Sequence, residues 1–260
     1  MRRLVEAELR VLWRRPTGRL AVIVGTLLPV IVAIFYGTLQ ESSVQLNDKS
    51  ISELMNFSGP DAASRGLMAR HFFVMPLFWF ALAGHAIAGE RVDHMLRERA
   101  VRPRPRDHLF LAKLMSVWLV SIWTLVVGSS LSLLFTTPWL GGDGPWLEFF
   151  GSVGLSVFTD LGVIAVAIML ATWVRSSTMT VVAGLMIMGL DSVIRLGLSG
   201  LGLLGVAWAP WVHQAMWGSG LGVWSRQGAD WSWVSLASLL TCTVVALLES
   251  RRRLNGLDLP

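Results

Sequence analysis

The chain has 260 residues, 53% hydrophobic and only 15% charged, with a mean hydropathy of +0.59. Too few ionic side chains remain to cover a soluble surface, so the composition belongs to the membrane class. A net charge of +5 beside 13 Trp and one Tyr, with the cations gathered in a few segments, points to anionic lipid head groups and topology and excludes a nucleic-acid partner.

In chain order, Val5, Leu9, Leu12 and Trp13 recur on one helical face and Arg3, Glu6, Arg10 and Arg14 on another, so about 3–15 is expected to be an amphipathic helix lying in the membrane interface. Pro16 ends it and turns the chain into the bilayer. Spans are then expected at about 20–39, 72–89, 114–137, 147–174, 178–198 and 231–248, each an apolar run of membrane-crossing length. The first is read as a retained span because it is too long for a secretory leader. The fifth dissolves into the glycine-rich stretch from Gly197 to Gly205. Outer loops are expected at 40–70 and 199–230, in a chain forming one transmembrane domain over 1–260.

Sidedness follows from Lys and Arg, which are retained in cytoplasmic loops. With both termini inside, six precede the first span, seven lie between Glu90 and Lys113, and Arg175 and Arg251 to Arg253 complete the set, which makes 17 of the 22 against four outside. That bias supports an even number of spans, since an odd number would export either the N-terminal cations or Arg251 to Arg253.

The segment from Glu90 to Lys113 divides in two. Glu90 to Ala100 has helix formers and no breaker, with Met95 and Leu96 among the charges, whereas Arg102 to Arg106 reads RPRPR and must be extended. A short surface helix followed by an extended return is expected.

Within the spans, Asp160, Asp191 and Arg195 lie roughly 20 to 26 Å from the inner helix ends at 1.5 Å per residue. Ionisable groups at such depth face protein or water. Asp191 and Arg195 are i,i+4 neighbours, so Arg195 either neutralises Asp191 within the helix or bridges to Asp160. The expectation is an ion pair locking spans together, with a substrate or proton site as the competing reading. His85, Glu90, Asp93 and His94 lack metal-ligand spacing, and no nucleophile motif is present, so no catalytic or metal residue is assigned. Trp139, Trp146, Trp208, Trp211, Trp217, Trp224, Trp231 and Trp233 cluster at the outer boundary as an aromatic belt. The alternative for these rings is an exit site for an amphipathic substrate.

Glu90, the short charged helix with Leu96, the proline-containing turn and Lys113 resemble the loop between spans two and three of ABC-2 type permeases. The opening ELRVLWRRPTGRLAVIVGTLLPVIVAIFYG, from Glu8 to Gly37, is similar to that family's elbow helix, Arg-Pro turn and first span with a central proline. The resemblance implies an all-α, six-span membrane protein of the ABC-2 or type V exporter kind, with an N-terminal elbow and a cytoplasmic coupling helix. It further implies a permease dimer, of like or similar subunits, in a bacterial-type inner membrane. This would move a drug, peptide or lipid-like amphipathic substrate by alternating access. Coupling roles fall on Glu90, Arg91, Met95, Leu96, Arg97 and Arg99, and elbow roles on Leu9, Leu12, Trp13 and Arg14. ATP and Mg would be bound by a separate cytoplasmic ATPase and no cofactor by this chain, whose only lysines, Lys49 and Lys113, do not complete a P-loop. Two other classes are an ion-coupled transporter or channel built on Asp160, Asp191 and Arg195, and an intramembrane enzyme.

Overall fold

The computed structural model of the chain describes residues 1–41, 45–46, 49–50, 57–72, 74–90, 106–174, 176–222 and 233–256. Helix α1, Arg2–Arg14, ends where Arg15 turns extended at φ −81 and ψ 136, because a residue preceding proline is driven out of the helical region. Pro16 then opens α2, Pro16–Glu41, where a missing N–H costs nothing in the first turn. A two-residue ladder, β1 (Gln45–Leu46) with β2 (Lys49–Ser50), follows.

The next helices correct the expected second span. Helix α3, Gly59–Phe72, and helix α4, Val74–Ala83, form one apolar unit bent by 46°. The span therefore begins well inside what the sequence suggested was outer loop 40–70. Pro76 explains the break, since its ring collides with the carbonyl four residues back, that of Phe72. A π-helical stretch, Gly84–Gly89, carries α4 to Glu90.

Helix α5, Arg106–Leu140, starts earlier than expected, so Lys113 lies two turns into it and Arg106 is helical, not part of an extended return. Helix α6, Trp146–Trp173, agrees closely with the expected fourth span. Helix α7, Ser177–Leu203, runs straight through the glycines expected to dissolve it. A helical glycine costs about 1 kcal/mol relative to alanine, less than leaving backbone groups unpaired in hydrocarbon. Two short helices, α8 (Ala209–Ala215) and α9 (Trp217–Gly222), occupy part of the expected loop 199–230, and α10, Trp233–Asn255, takes in the Arg251 to Arg253 cluster.

Among the described residues five helices are long and apolar enough to cross a membrane, and the bent α3–α4 unit makes a sixth if its two halves form one span. The core forms where α4 meets α6: Met75, Trp79, Phe80 and Ile87 pack against Val163 to Ile168. Helices α2, α3 and α5 converge at Pro29. A Cβ on Gly66 of α3 would fall 2.3 Å from the Pro29 carbonyl oxygen, and one on Gly128 of α5 would fall 3.1 Å from that of Thr26. Small residues at such crossings let backbones approach where no water drives helices together.

Candidate functional site

Two buried polar clusters stand out, one at the end of the bundle that carries α1 and one deep inside it. At the end, Lys113 is fully buried with Glu8 and Glu90. Its Nζ donates to Glu90 Oε2 at 2.6 Å, to Glu8 Oε2 at 3.3 Å and to the Ala86 carbonyl at 2.7 Å. Arg15 Nη1 donates to the His85 carbonyl at 2.7 Å on the same π-helical stretch. Two cations thus meet the carbonyl-rich end of the α4 unit, where the helix dipole favours positive charge.

Local structure positions two members of this node. Glu8 and Leu12 are i,i+4 partners on the buried side of α1, while Glu90 caps the π-helical stretch that ends the α4 unit. Lys113 then joins three separate elements: α1, the terminus of α4 and the start of α5. Glu90, the residue before 91–105, is consequently tied through Lys113 to the N-terminal helix. Two further ties lie at this end. Arg251 donates twice to Asp107 at 2.8 Å, and Asn255 donates to the same carboxylate at 3.0 Å. The Arg253 guanidinium lies 4.1 Å from the Trp173 ring centroid.

Deep in the bundle, Asp160 of α6 is 1% exposed and Arg70 of α3 is 0% exposed. Their ion pair, Nη2 to Oδ2, spans 2.9 Å. Asp160 also accepts from Trp79 Nε1 at 3.2 Å and from the Ser121 hydroxyl, and His71 Nδ1 lies 3.5 Å from Oδ1. Arg70 Nη2 reaches the Ser121 carbonyl at 3.1 Å and Thr124 Oγ1 at 3.0 Å. One carboxylate and one guanidinium therefore join α3, α4, α5 and α6 just beside the break in the second span.

This revises the expected partners. Arg195 does not bridge to Asp160; its Nε donates to Asp191 Oδ2 at 2.7 Å within α7, the other expected arrangement. Asp191 also accepts from the Gly218 N–H at 3.3 Å, which ties α7 to α9. Arg70, counted in the sequence as an outer-loop cation, is the true counter-ion of Asp160. Its signal was present: a carboxylate at that depth demands a cation, and the helix-forming run from Gly59 to Phe72 carries one on the side facing α6. Glu8 was likewise missed, hidden between positions assigned to the two obvious faces of α1.

The other expected residues are dispersed. Leu12 is buried and Leu9 half-buried, whereas Trp13 is exposed and Arg14 faces outward. Arg91, Asp93, His94, Met95, Leu96, Arg97 and Arg99, with the expected coupling helix, lie outside the described residues, as do Trp224 and Trp231. Trp208 and Trp211 are exposed beside and on α8, and Trp146 Nε1 donates to the Gly142 carbonyl at 2.7 Å. Trp139 lies against Gly37, and Trp217 packs on the core, unlike an exposed belt ring.

A family model described as ABC-2 family transporter protein matches residues 4–190, which takes in nearly all of α1, both buried clusters and about half of α7. No curated protein matches the chain. The match runs over most of the molecule, including every helix that contributes to the two clusters, and the chain belongs to the ABC-2 transporter family as a multi-pass membrane permease.

Proposed function

We propose that this chain is the membrane subunit of an ATP-binding cassette exporter, moving an amphipathic substrate by alternating access under the drive of a separate cytoplasmic ATPase. It works as a dimer with itself or a similar subunit, in a bacterial-type inner membrane with both termini cytoplasmic. The observation that carries this reading is the Lys113 node, which binds α1, Glu90 at the N-terminal margin of residues 91–105, and α5 into one charged unit. Force applied by a partner near residues 91–105 passes through Glu90 and Lys113 into α1 and α5 without needing a flexible relay. A partner supplying ATP chemistry is required because the chain lacks a phosphate-cradling loop.

The ion-coupled alternative asks an intramembrane carboxylate to take up a cation during transport. Asp160 already has Arg70, Trp79 and Ser121 closed around it, and Asp191 has Arg195, which favours structural roles for both. The decisive experiment is co-purification of an ATPase with the chain, followed by ATP-driven transport in liposomes. Charge reversal at Arg97 and Arg99 is expected to abolish substrate-stimulated hydrolysis while both subunits still reach the membrane. Transport by this chain alone on a proton or sodium gradient would overturn the proposal.

A further inference from the structure

A groove of about 620 Å³ opens between α1, α2, α4 and α5. Val22 and Leu82 line its interior, Leu119 runs along one wall, and Trp13 and Trp123 stand exposed at its sides. Arg10 is the cation in its lining. From Lys113 to Trp123, α5 rises roughly 15 Å at 1.5 Å per residue. The groove therefore leads away from the charged end of the bundle into its apolar part. The lining is apolar along its length apart from Arg10, which marks one polar end with Arg14 a helical turn beyond it, the polarity of a lipid.

The charge at the polar end is unbalanced. Helix α1 has two acids, and both are engaged: Glu6 by Arg2 at 3.0 Å and Glu8 by buried Lys113. Arg10 and Arg14 are exposed, one helical turn apart, and among the described residues neither has a carboxylate partner. We propose that the groove holds one anionic phospholipid, its acyl chain laid along Leu119 and Trp123 and its phosphate bound by Arg10 and Arg14. An anionic head group supplies the charge that α1 lacks, whereas a zwitterionic one brings its own cation to the same place. The lipid wedges α1 against α5 beside the Lys113 node. This inference needs only the membrane location of the chain and stands apart from the ATPase reading.

The test uses the full chain in vesicles of phosphatidylcholine doped with an equal mole fraction of either phosphatidylglycerol or phosphatidylcholine carrying brominated acyl chains. The readout is the part of the tryptophan quenching lost in Trp123→Phe, which isolates the groove from the other rings. Brominated phosphatidylglycerol is expected to quench that component roughly twofold or more beyond brominated phosphatidylcholine. The double variant Arg10→Gln/Arg14→Gln should erase the difference, and Arg10→Lys/Arg14→Lys should keep it, which separates loss of charge from loss of folding. Val22→Phe, which fills the groove, should lower quenching by both lipids. Equal quenching by the two lipids in the unsubstituted protein would overturn the proposal. So would a preference that survives the glutamine variant, or absence of quenching by either lipid, the result expected if protein fills the groove.

Discussion

The two arginine–aspartate pairs inside the helices, Arg70 with Asp160 and Arg195 with Asp191, have nearly equal lengths, 2.9 and 2.7 Å. Their surroundings differ. Arg70 and Asp160 lie on separate helices at 0% and 1% side-chain exposure, whereas Arg195 and Asp191 share one helix at 26% and 11%. Distance does not rank ion pairs. What ranks them is how many elements they join and what remains if one partner is removed. Loss of Arg70 leaves a fully buried carboxylate with only the neutral donors Trp79 and Ser121 and the imidazole of His71 and unties α3 from α6, while loss of Arg195 removes a partner on the same helix and leaves Asp191 its backbone donor at Gly218.

The largest expected effect is therefore Arg70→Met, which should cost roughly 3–5 kcal/mol by leaving a buried charge uncompensated. Size-exclusion yield in detergent and a thermal melt measure it. The double variant Arg70→Met/Asp160→Asn should recover much of that loss, because removing both charges removes the desolvation penalty with the attraction. Failure of the double variant to exceed the single one would break the comparison.

Lys113→Met comes next. It strands two carboxylates, but at the end of the bundle, where Glu8 can reach water if α1 swings away. The expected signature is release of α1, read as faster proteolysis near Arg10 to Arg15 with the rest of the bundle intact. Gly66→Ala should follow, since a Cβ 2.3 Å from the Pro29 oxygen forces α2 and α3 apart at a cost of about 1–3 kcal/mol, as in overpacked cores. Its melting temperature is the measure, and a neutral result would mean that the three-helix crossing has slack. The smallest effect belongs to Arg195→Ala, within about 1 kcal/mol, as expected of an i,i+4 pair that joins no second helix and leaves Asp191 its Gly218 donor. A collapse in folded yield for this variant would sharpen the comparison in the other direction by giving the α7–α9 tie a weight its geometry does not suggest.

Much of the fold was legible in the chain. Apolar runs marked five helices to within a few residues, except where continuation was masked by the charged start of α5 at Arg106 to Lys113, by glycines after Gly197 or by cations at Arg251 to Arg253. The elbow boundary at Pro16 was legible for the same reason it forms: proline constrains its predecessor whatever surrounds it. The second span was misplaced because α3 begins with GPDAASR, polar by composition, and only burial against α2 and α5 makes it part of the bundle. Lys113 was noticed, but as the start of a span. Its two carboxylate partners are 105 and 23 residues away in the chain, and no local pattern connects them.

By itself the sequence determined the membrane class, five of the long apolar helices and the presence of acids too deep to stand alone. These properties depend on composition and local backbone chemistry, which act over a few neighbouring residues. Only the tertiary structure decided that Arg70, not Arg195, answers Asp160, and that Lys113 gathers Glu8 with Glu90. Pairings of that kind depend on the rotation and bend of whole helices about their axes, set here by Pro76, the π-helical stretch and the close crossing at Pro29.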